Sequence, residues 1–182
     1  MLSASTILLS FGLLFRVFTN LAAATPTPRA LCSPNFQGAG VSIIAGSVEW
    51  GVSAPVAGTV LDRTAKSNTT AEWHVEQTGG APSTYLVSVI SNSDLAVGVG
   101  ANGVLTLEQK DSNKPATQMW TIMCDSCSSG ASAGVQDSAS GCKIMASSSG
   151  LCAAVEHAGT HLATTECAPV VAQTWDFWTV PA

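Results

Sequence analysis

Two histidines, His157 and His161, stand four residues apart. On a helix that spacing would set both rings on one face, as zinc ligation requires. Their stretch, Glu156-His157-Ala158-Gly159-Thr160-His161, contains Gly159 and reads as a loop between strands. The helical metal argument therefore fails, and no metal or other cofactor is expected. Cys124-Asp125-Ser126-Cys127 has the spacing of a redox or metal motif, but it lacks a second Cys-x-x-Cys and a βαβ surround. A catalytic serine needs a base and an oxyanion site, and no Gly-x-Ser-x-Gly elbow is expected. Glycoside hydrolysis needs two carboxyls facing across a cleft. The twelve acids are spread along the chain and single out no pair. No enzyme is expected.

The elements that must position any site are strands. Gln173-Thr174-Trp175-Asp176-Phe177-Trp178 is a Gln-x-Trp step followed by apolar alternation, the pattern of a half-buried strand. Gln118-Met119-Trp120-Thr121-Ile122-Met123 repeats it, and Ala71-Glu72-Trp73-His74-Val75 repeats it with Ala for Gln. Val52, Val99 and Val155 precede the three tryptophans by 21, 21 and 20 residues. Ile43, Ile90 and Ala146 fall in register further back, in the runs Val41 to Ile44, Tyr85 to Ile90 and Lys143 to Ala146. Three units of about four strands, spanning 32–80, 81–127 and 140–180, follow from this period. Trp73, Trp120 and Trp175 are expected in a shared core. Trp50 and Trp178 have no repeat partners. Alternation places Trp178 opposite Trp175, where an exposed indole could stack on a sugar or pack at the domain's end. By the same alternation His74 points outward.

Three four-stranded units that each end in (Gln/Ala)-x-Trp resemble the ricin B-type lectins, whose fold is an all-β β-trefoil. The likeness covers about Cys32 to Val180 and is fullest in the third unit. There Gly150-Leu151-Cys152-Ala153-Ala154-Val155 and Leu162-Ala163-Thr164-Thr165-Glu166-Cys167 precede Gln173-Thr174-Trp175. The resemblance implies a Cys152–Cys167 disulfide, and loops held by hydrogen bonds from Gln118 and Gln173. It also implies sugar binding. In the family's binding units an Asp on the second strand accepts hydrogen bonds from sugar hydroxyls. The matching positions here are Gly51, Gly98 and Ala154, none with a side-chain acceptor. Leu107-Glu108 and Thr164-Thr165 stand where the stacking aromatic belongs, and Thr117 and Ala172 where an Asn is common. The usual galactose-type sites are thus expected to be lost. Asn102, Glu108 and Gln118 in the second unit, and His157, His161 and Gln173 in the third, are the carbohydrate-binding candidates that remain.

Met1 to Ala24 reads as a secretory signal: Ile7 to Phe15 is apolar, and Ala22-Ala23-Ala24 offers a cleavage site. The segment lacks a basic residue before Arg16, and its apolar run, Ile7 to Phe15, is too short to span a bilayer as a helix. Residues 25–31, with Pro26 and Pro28, read as a flexible leader, and 32–182 as one domain. The full chain carries a formal net charge of −5, without basic runs. That disfavours nucleic acid and anionic membranes as partners. Glycans, cell-wall polysaccharide or a protein target fit better. Asn68-Thr69-Thr70 is a glycosylation sequon. Six cysteines, all beyond Ala24, favour disulfides and an extracellular location. Cys32, Cys124, Cys127 and Cys142 leave three connectivities open. They are expected to fasten the Ser/Gly-rich loop from Asp125 to Gly141. The expected function is a secreted, non-catalytic, lectin-like module. The alternative is a β-trefoil that presents its loops to a protein, such as a protease inhibitor, because one fold hosts both classes.

Overall fold

The computed structural model describes residues 30–36, 38–66, 72–79, 82–128, 138–155 and 160–179. The signal 1–24, most of the leader, Asn68 and His157 lie outside the described residues.

The chain forms thirteen strands and three 3-10 turns among these residues. The first unit holds β1 (Gly40–Ala45), β2 (Val48–Val52), β3 (Leu61–Ala65) and β4 (Trp73–Gln77). The second holds β5 (Thr84–Val89), β6 (Asn92–Val99), β7 (Leu105–Gln109) and β8 (Trp120–Met123). A short β9 (Ser126–Cys127) intervenes. The third unit holds β10 (Ala139–Ala146), β11 (Cys152–Val155), β12 (Leu162–Thr165) and β13 (Trp175–Thr179). First and last strands pair around a closed six-stranded ring, β1-β4-β5-β8-β10-β13 and back to β1. The second and third strands of each unit form a hairpin outside it. The fold is a β-trefoil. Closing the ring removes the exposed sheet edges that an open sheet would carry.

Alternation decides which side chains fill the ring. Val41, Tyr85 and Cys142 lie opposite Trp73, Trp120 and Trp175. Two residues on, Ile43, Val87 and Ile144 are fully buried. This corrects the expected register. The residues equivalent to Ile43 are Val87 and Ile144, not Ile90 and Ala146; Ile90 sits in the turn after β5 and is 37% exposed. The β5–β6 hairpin contains a register shift, and the added residues move the apparent match three places along.

Each repeat tryptophan is buried and donates its indole N–H to a second-strand carbonyl of its own unit. Trp73 donates to Trp50, Trp120 to Val97 and Trp175 to Ala153, at 3.1, 3.1 and 3.0 Å. Trp50 therefore does have repeat counterparts, and they are Val97 and Ala153. Its ring is fully buried, edge-on to all three repeat tryptophans, with centroids 5.5–6.4 Å away. Trp178 faces outward and half-buried, and the Lys66 ammonium lies 3.6 Å above its ring centre.

Three disulfides close the described chain: Cys32–Cys127, Cys124–Cys142 and Cys152–Cys167. The last matches the pairing that the lectin resemblance implies. Cys124–Cys142 clamps the base of the Ser/Gly-rich loop. The first, with reciprocal backbone bonds between Cys32 and Cys124, stitches the incoming chain to β8 and β9. Phe36 then packs on Phe177, with centroids 5.0 Å apart.

Candidate functional site

The three hairpins meet through their third strands. Isolated bridges join Val60 to Thr106, Val104 to Ala163, and Asp62 to His161, one at each seam between units. The shared indole acceptors put Gly51, Gly98 and Ala154 in equivalent places, each one residue beyond the acceptor carbonyl. These are the positions where the lectin resemblance would place a sugar-binding Asp.

In the first unit a side chain from β3 lies across Gly51. A Cβ there would stand 2.5 Å from the Thr64 methyl and 2.7 Å from its hydroxyl. In the second unit the Glu108 carboxylate lies across Gly98, its carboxyl carbon within 2.4 Å of where a Cβ would be. Gln118 fixes that carboxylate by donating to Oε2 at 3.2 Å. The glycines are thus the floor on which a third-strand side chain rests. Among the described residues these two faces are filled.

The third unit differs. Ala154, with a Cβ of its own, lines an open groove together with Thr165. A groove of ≈ 480 Å³ opens there, within the usual range for small-ligand sites. Asn102, Thr164, Thr165 and Gln173 supply its polar lining, against Val155 and Val170. Asn102 comes from the second unit, in a 3-10 turn where its φ of 57° is left-handed. The Thr164 hydroxyl donates to the Gly103 carbonyl at 3.2 Å and so holds that turn against β12. The Asn102 carboxamide and the Thr165 hydroxyl carry no hydrogen bond among the described residues. The lining holds no charged side chain, which suits a neutral ligand.

The candidate residues fall in separate places. Asn102 and Gln173 share the third-unit groove. Glu108 and Gln118 sit together on the filled face of the second unit. His161 lies at the seam with the first unit, its Nδ1 2.5 Å from Asp62 Oδ1. Gln118 and Gln173 are 3% and 4% exposed. Gln118 accepts from the Asp111 N–H and donates to the Gln109 carbonyl. Gln173 accepts from the Ala168 N–H and donates to the Glu166 carbonyl. Both amides clamp the turn after the third strand. Thr165 and Val170 were missed as lining residues. The Thr164-Thr165 pair was legible only as the absence of an aromatic. The expectation of no Gly-x-Ser-x-Gly string is corrected by Gly130-Ala131-Ser132-Ala133-Gly134, which has that spacing and lies outside the described residues.

No protein-family signature matches the chain, and no curated protein matches it. Solved structures do. The designed threefold-symmetric protein ThreeFoil matches over 77% of this chain and 98% of its own, with TM-score 0.58 and 16% identity. A salivary protein from Culex quiquefasciatus, of a cysteine- and tryptophan-rich family, matches over 81% and 97%, with TM-score 0.57 and 13% identity. The Polyporus squamosus lectin, solved with a human-type influenza-binding epitope, matches over 79% of this chain and 50% of its own. Its TM-score is 0.52 and its identity 16%. At such identities the likeness shows the fold alone.

Proposed function

We propose that the chain is a secreted, non-catalytic carbohydrate-binding module related to the ricin B-type lectins, with its working site in the third-unit groove. One observation carries this reading: of three equivalent positions, Thr64 and Glu108 fill two, while Ala154 leaves the third open. The available groups are a carboxamide and a hydroxyl beside an apolar wall. They favour a neutral sugar, bound without the carboxylate of the galactose-type sites. Lectins among the structural neighbours support the reading, as do three disulfides for an extracellular setting.

The test is binding to immobilised glycans and cell-wall polysaccharides, with free sugar as competitor. Asn102→Ala is expected to weaken saturable, sugar-competed binding about tenfold, the usual cost of one hydrogen-bonding group. Ala154→Leu should block the groove. Absent binding, or binding indifferent to both changes, overturns the assignment. A second reading, a protein-binding trefoil such as a protease inhibitor, draws on the exposed Val170 and Val171 beside the groove. They are 46% and 76% exposed. Inhibition of secreted proteases together with silence on glycans would favour it.

A further inference from the structure

On another side of the barrel, β8 and β10 run antiparallel with Met123 opposite Lys143. A groove of ≈ 420 Å³ lies over them. Its walls are Leu31, Met123, Met145 and Pro169, and it holds one carboxylate, Asp125, and one ammonium, Lys143. Methionine side chains adapt readily to apolar ligands. None of these residues lines the third-unit groove.

The two charges are held in place separately. Lys143 Nζ donates to the Ala168 carbonyl at 2.7 Å and to Thr174 Oγ1 at 3.2 Å. An ammonium has three donors, so one remains. The Asp125 carboxylate lies across Gly141, where a Cβ would stand 2.4 Å from Oδ2. Gly141 has φ +65° and donates its N–H to Asp176 Oδ1 at 2.9 Å. The Cys124–Cys142 disulfide joins the residue before Asp125 to the residue before Lys143. The spacing of the charges is thereby tied covalently. Yet they form no direct ion pair, and Lys143 has none with any other described residue. Burial pulls the Lys143 ammonium below the ordinary lysine range, and the more distant Asp125 offsets this in part.

Opposite charges that share an apolar groove without touching are complementary to a molecule that bridges them. We propose that this groove binds a small zwitterion with an apolar side chain, an α-amino acid of the leucine or methionine class. Its carboxylate would meet Lys143 and its ammonium Asp125, with the side chain on Met123, Met145 and Leu31. Neither charge alone fits: an anion would face Asp125, and a cation would face Lys143.

The experiment is titration of the folded protein with leucine, N-acetylleucine and leucinamide, followed by calorimetry and by the backbone amide signals of residues 123–125 and 141–145. Leucine should bind saturably and shift those signals. Each blocked derivative should bind at least about tenfold more weakly, since each leaves one charged partner unmatched. Glycine should also bind more weakly. Lys143→Met and Asp125→Asn should each abolish the preference for leucine over one derivative. Because the ligand series uses the unaltered protein, a variant that fails to fold leaves the test intact. No saturable shift with leucine up to about 10 mM, or equal binding of N-acetylleucine or leucinamide, overturns the proposal.

Discussion

Glu72 precedes β4 with its Oε2 buried and without a hydrogen-bond partner among the described residues. Burial pushes its carboxyl above the ordinary range, and the negative charge of Glu49 pushes it further. Glu49 is 3% exposed and occupies in the first unit the position that Cys152 occupies in the third. A carboxyl whose folded pKa is raised favours the state in which it is protonated. Its effect on stability is therefore neutral below the unfolded value. It becomes destabilising as pH rises from there through the raised folded value. The melting temperature should fall across that window, and Glu72→Gln should remove this part of the slope and raise the melting temperature above it. Thermal denaturation from pH 4 to pH 8 (roughly the span over which a raised carboxyl titrates) reads the effect. An unchanged slope in Glu72→Gln would sink the assignment. No pattern in the sequence marks this pair. Alternation correctly sends Glu49 away from the side that Trp50 faces. It carries no sign that this outer side is also covered.

Among the elements, the hairpins determine what each unit can bind. The lectin resemblance marked Gly51 and Gly98 as positions without an acceptor. It could not show that a diagonal neighbour on the next strand lies over them, because that depends on rotamers and on sheet twist. The two glycines should respond differently to a methyl group. Thr64 is short and β-branched, with little rotamer freedom, so Gly51→Ala is expected to cost about 2 kcal/mol through overpacking. Glu108 meets Gly98 with the far end of a flexible chain and can swing away. Gly98→Ala should therefore cost only about 1 kcal/mol, the worth of the Gln118 hydrogen bond it breaks. In a Glu108→Ala background the Gly98→Ala cost should vanish. Denaturant unfolding of the four proteins in that cycle measures the coupling. Equal costs with and without Glu108 would refute the crossing as the reason for the glycine.

At the scale of the molecule, three units of unequal sequence share one axis. The Trp steps made the threefold plan legible, because each indole follows an equivalent valine by 20 or 21 residues. The centre was not legible, since Trp50 has no look-alike at Val97 or Ala153. The structure explains why. One large, one medium and one small side chain occupy three equivalent places around a single volume, so that volume has to be filled collectively. Trp50 fills most of it and touches the tryptophans of all three units. Its indole N–H is buried without a hydrogen-bond partner among the described residues. Trp50→Ala is expected to cost about 3–5 kcal/mol as a core cavity. Trp50→Phe should cost less, because it removes the unmatched donor while retaining a ring. The decisive variant moves the large side chain to another unit. Ala153→Trp alone should overpack the core and destabilise it. Added to Trp50→Ala, it should recover part of the loss, because the displaced indole enters the space just vacated. Chemical denaturation of both singles and the double gives the coupling energy directly. If the two penalties simply add, the three positions do not share one volume, and the axial account of Trp50 is wrong.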